Sequence, residues 1–127
     1  MAFILDRLFG AQPEPIQPGV YHYQAPPDST IPYRLHLRVE QDGGGLLIVN
    51  AATVLHLNET AAAHVYEIVQ GHEVQEAARS ISRRYQVSKN QALQDQDTIR
   101  QRIVTLATFP DVDPVTFLGL ERTEPYA

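Results

Sequence analysis

The sequence has no cysteine. That excludes disulfides, a thiol nucleophile and cysteine-ligated zinc or iron–sulfur sites in this chain. It has no apolar run near the ~20 residues a membrane helix needs. The start, MAFILDRLFG, lacks the basic lead and small-residue cleavage site of a signal peptide. Basic residues are outnumbered: 10 Lys and Arg against 15 Asp and Glu give a net charge of −5. A general nucleic-acid binder needs a basic face, so that class is disfavoured. Together these absences lead us to expect a cytoplasmic protein that spans no membrane and binds no nucleic acid.

Catalytic patterns are also missing. None of His22, His36, His56, His64 and His72 forms the helical pair with an intervening glutamate that a zinc protease uses. His36 and His56 could share a sheet face, but two imidazoles without a third ligand make a poor metal site. Asp95 and Asp97 are two apart on a helix and diverge. No serine sits in a nucleophile elbow. Gly43-Gly44-Gly45 lacks the lysine and helix of a phosphate loop. The expectation is no catalytic residue, no metal and no cofactor.

What is present is best read outward from Thr53–Glu73. Thr53 to Leu57 is β-prone. Asn58 stops it and can cap a helix, with Glu59 at the positive end of the helix dipole. Ala62, Val65, Tyr66 and Val69 then recur at helical spacing, and Gly71 suits the left-handed C′ position. Upstream, Tyr33 to Glu40 alternates as a half-buried strand does. Asp42 to Gly45 is a turn, Leu46 to Val49 the return strand, and Asn50-Ala51-Ala52 a second turn. Downstream, a second helix is expected over about 74–85, with Arg83 and Arg84 at its C-terminal end. A third follows over about 89–107, capped by Ser88 and polar in its middle, so only a narrow stripe is core. The expected fold is α+β: a three-stranded antiparallel sheet followed by three helices.

The flanks differ in composition. Ala2 to Phe9 reads as a short amphipathic helix. Residues 10–32 carry six of the prolines, which forbid a helix or a central strand. We read an extended arm pinned by Tyr21 and Tyr23, with Val20 to Tyr23 able to add briefly to a sheet edge. The tail holds an apolar patch, Val115 to Leu120, that should dock somewhere. Glu124 to Ala127 reads like the middle of a linker, as if this were the front module of a longer enzyme. The expected organisation is 1–31 helix and arm, 32–109 domain, 110–127 tail.

The order of elements, with Leu55, Leu57-Asn58-Glu59-Thr60-Ala61-Ala62, Gly71, Glu76-Ala77-Ala78, Arg84-Tyr85, Val87, Asp97, Ile103 and Leu106, resembles the pyrroloquinoline-quinone biosynthesis protein D (PqqD-like) family. The resemblance covers about residues 32–109. It departs at Gln86, where the family usually has glycine after the Arg-Tyr pair. It implies a winged-helix-like module that binds the leader of a ribosomally made precursor peptide as an added strand. The module then presents it to a modifying enzyme, often a radical S-adenosylmethionine enzyme. The expected peptide-binding residues are Thr53, Val54, Leu55, His56 and Leu57 on the last strand. Leu93, Asp97, Arg100, Gln101 and Val104 on the third helix are expected to wall the groove. Other readings are a winged-helix DNA-binding regulator and a structural homodimer.

Overall fold

The computed structural model describes residues 15–29 and 32–108. The expected N-terminal helix and the apolar patch of the tail lie outside them. The described chain is an antiparallel meander of four strands followed by three helices. The strands are β1 (Gly19–Gln24), β2 (Arg34–Val39), β3 (Gly45–Val49) and β4 (Thr53–Leu57). The helices are α1 (Glu59–Val69), α2 (Val74–Tyr85) and α3 (Lys89–Thr108). No helix among the described residues is long and apolar enough to cross a membrane.

The expectation of three strands is corrected to four. β1 pairs with β2 from Gly19↔Val39 to Gln24↔Arg34. The prolines that argued for an arm stand outside the ladder: Pro18 precedes β1, and Pro26 and Pro27 follow it. No ladder position therefore loses its N–H. Tyr21 and Tyr23 turn inward over the core, and Tyr21 meets Tyr66 of α1 edge to face at a centroid distance of 5.1 Å. The folded sheet thus begins at Gly19, inside the segment read as arm.

The inner face of the sheet is the core. Leu35, Leu37, Val39, Leu47, Val49, Leu55 and Leu57 alternate inward and pack on Ala61, Ala62, Val65 and Ile68 of α1. Ile99, Ile103 and Leu106 of α3 join the same cluster. Small residues let α1 lie close to the sheet. A Cβ on Gly45 would come within 3.3 Å of the Ala62 Cβ and 3.0 Å of the Arg38 carbonyl. A second cluster of Ala63, Ala78, Ile81 and Ala92 joins the three helices.

The junctions form as their residues dictate. Asn58 Oδ1 accepts from the Ala61 N–H at 2.8 Å, capping α1. At its far end His72 N–H donates to the Glu67 carbonyl and Gly71 N–H to that of Ile68. Gly71 has φ +82° there, the left-handed residue such a closure requires. Ser88 caps α3 by accepting from the Gln91 N–H.

Candidate functional site at the edge of strand four

β4 lies at the end of the sheet, and the ladder pattern shows which of its backbone groups are spent. The Asn50 N–H donates to the Arg34 carbonyl at 2.9 Å, and the Glu40 N–H to that of Gly44 at 2.8 Å. Hydrogen-bonding direction alternates along an antiparallel strand. Even-numbered residues of β3 therefore bond β2, and odd-numbered ones bond β4. Gly45, Leu47 and Val49 stand opposite Leu57, Leu55 and Thr53. Those three β4 residues thus use their N–H and C=O groups on β3. Val54 and His56 direct theirs to the open side. Among the described residues, no backbone hydrogen bond from outside the sheet reaches either of them.

Side chains alternate with the same period. Thr53, Leu55 and Leu57 are buried on the inner face, while Val54 is 47% exposed on the outer face and His56 is exposed beside it. A strand laid along β4 would send alternate side chains inward, extending the layer that Leu55 and Leu57 share with Ile103 and Leu106. The five strand residues expected from the sequence thus divide into two roles. Val54 and His56 offer backbone groups; Thr53, Leu55 and Leu57 hold the strand to the sheet and core.

The five α3 candidates recur at helical spacing on one flank of α3, but their surroundings differ along it. Leu93 packs against the Ala63, Ala78, Ile81 and Ala92 cluster, which contains no strand residue. Arg100 serves the helix packing: its Nε donates to Gln96 Oε1 at 2.7 Å and its Nη2 to the His72 carbonyl at 2.6 Å. Burial draws the guanidinium's pKa below its ordinary value, with Tyr33, Tyr23, Asp97 and Glu67 acting against that fall. Tyr33 and Tyr23 belong to the β1–β2 side, away from β4. Asp97 and Gln101 are exposed and Val104 half-buried on the same flank of α3. Leu93 thus has a place beside the helix cluster and Arg100 has partners between helices; an amphipathic count cannot distinguish a solvated polar residue from one bonded between helices.

A polar network was also missed. Gln96 and His64 are fully buried, with the Gln96 Nε2 3.0 Å from His64 Nδ1. The buried Glu67 carboxylate lies 2.7 Å from His72 Nδ1 and accepts from Ser80 Oγ at 3.0 Å. Only the Gln and Arg spaced i, i+4 on α3 hinted at it. The outer face of the sheet carries a second unforeseen contact: His22 and His36, opposite each other on β1 and β2, have Nδ1 atoms 2.7 Å apart. Among the described residues, no three His, Cys, Asp or Glu side chains are grouped to hold a metal.

Comparison of the chain with protein-family models, with curated proteins and with solved structures finds no match to any of them.

Proposed function

We propose that this chain is a non-catalytic recognition module that takes an extended peptide as a fifth strand along β4. The observation that carries the reading is the pair of outward-facing residues, Val54 and His56, on a sheet edge open among the described residues. Unpaired edges recruit strands, and strand addition is an established way to bind a peptide. Four backbone groups are on offer, each bond contributing a net ~1 kcal/mol. Alternate peptide side chains would be buried beside Leu55 and Leu57. The opposite edge, β1, is less suited: Pro18 before it and Pro26 and Pro27 after it are residues that blunt an edge.

The resemblance to PqqD-like proteins extends this reading. The peptide would be the leader of a ribosomally made precursor, and the winged-helix-like domain would hold it for a separate or linked modifying enzyme. A radical S-adenosylmethionine enzyme is the first candidate partner.

The test is titration of leader peptides from small reading frames beside the gene against single proline variants. Val54→Pro and His56→Pro each remove an outward N–H and keep the β3 ladder, so both should fold while peptide affinity falls at least about tenfold. Leu55→Pro removes a ladder bond and should unfold the domain. Folded Val54→Pro and His56→Pro proteins with wild-type affinity would exclude the edge as the site.

A further inference from the structure

We propose that His22 and His36 form a weak cross-strand site, two imidazoles completed by water, for a late first-row divalent cation of the Zn2+ or Ni2+ class; lacking a third protein ligand among the described residues, it binds in the range of a surface site rather than a structural one. The inference is independent of the peptide reading.

The geometry starts from register. Tyr23↔Leu35 and Tyr21↔Leu37 are the bonded pairs of the β1–β2 ladder, because odd-numbered β2 residues face β1. His22↔His36 is therefore a non-hydrogen-bonded pair, the closer of the two kinds, with side chains side by side. Their Nδ1 atoms converge to 2.7 Å and their ring planes stand at 88°. Imidazole nitrogens bind such ions at about 2.0–2.1 Å. Two nitrogens on one ion are thus about 2.9 Å apart at a right angle and about 3.4 Å apart at a tetrahedral angle. From 2.7 Å the pair needs to open by about 0.2 Å for a right angle and about 0.7 Å for a tetrahedral one, and its hydrogen bond is exposed, so the rings can turn.

Proton placement permits the exchange. Two imidazoles in Nδ1-to-Nδ1 contact share one proton, one ring donating and the other accepting. When an ion replaces that proton, the donor ring moves it to Nε2 through solvent. Binding to the neutral pair then releases no net proton.

The surroundings set the strength. The pair borders a shallow cavity of about 360 Å³ also lined by Gln24 and Arg34. Arg34 is the cation facing the site and weakens it; Arg38 is engaged by Glu40 at 3.2 Å. Among the described residues no third acidic or imidazole ligand joins the two, so water completes the coordination. Imidazole suits zinc and nickel, whereas Mg2+ and Ca2+ prefer oxygen. Because the ligands are 14 residues apart on adjacent strands, a bound ion clips β1 to β2.

The experiment uses the untagged full chain and titrates ZnCl2 or NiCl2 to about 1 mM while recording melting temperature and histidine 15N shifts. The expected result is a rise of a few degrees with shifts at the Nδ1 atoms of His22 and His36. His22→Gln at an exposed position and His36→Gln at a half-buried one, both conservative, should keep the metal-free melting temperature and bind at least about tenfold more weakly, since one imidazole loses the effective concentration of two. His56→Gln should respond like the wild type, and MgCl2 should do nothing. An unchanged wild type, or single variants that bind as tightly as the wild type, would overturn the site.

Discussion

Gln96 of α3 holds His64 of α1 at two points: its Nε2 donates to the ring Nδ1 at 3.0 Å and to the backbone carbonyl at 3.1 Å. Nδ1 therefore accepts, and the ring is the Nε2–H tautomer. Burial, with the nearby Arg100 charge adding to it, lowers the His64 pKa from 6.5 to about 4. Between those values the unfolded chain binds a proton that the native ring does not, so stability rises with pH. The contribution is fully present above pH 6.5 and is lost as pH falls toward 4, amounting to about 3 kcal/mol. Urea midpoints from pH 7 to 4 should fall more steeply for the wild type than for His64→Leu. Parallel pH profiles would contradict the buried, neutral histidine.

Arg100 links the same network to the α1–α2 junction through Gln96 and the His72 carbonyl. Arg100→Ala removes a charged donor from a partly buried acceptor, so it should cost about 1–3 kcal/mol of stability. It should leave the peptide affinity of the folded protein within about twofold. Denaturant titration and calorimetry on one preparation separate the two effects. A large affinity loss without a stability loss would place Arg100 in the binding groove instead.

Gln86 carries the left-handed backbone at the end of α2, with φ +54°. The turn thus has the conformation that glycine would adopt without strain, although the side chain differs. Gln86→Gly should stabilise the domain by about 0.5–1 kcal/mol, read as a melting temperature a few degrees higher. A lower melting temperature would mean that Gln86 contributes a contact worth more than its backbone strain.

Much of this fold was legible because its signals are local. The alternation of Tyr33 to Glu40 gave β2, Asn58 and Ser88 gave helix starts, and Gly71 gave an end. β1 is hard to see in the sequence because prolines crowd it, although none occupies the ladder. Which strand groups face outward, and that His22 meets His36 rather than His56, depend on register, which no single segment encodes. Likewise, Gln96 and Arg100 look solvated in the sequence because their partners, His64 and His72, are 32 and 28 residues away.

The central claim is that a peptide completes the backbone of β4, and amide hydrogen exchange followed residue by residue by NMR tests it most directly. In the free protein the Leu55 and Leu57 amides, bonded to β3, should exchange slowly, and those of Val54 and His56 fast. A saturating leader peptide should slow Val54 and His56 by at least about tenfold while leaving Val20, His22 and Gln24 on the β1 edge unchanged. A peptide that binds tightly yet leaves the Val54 and His56 amides exchanging as before, or protects the β1 edge instead, would contradict the account.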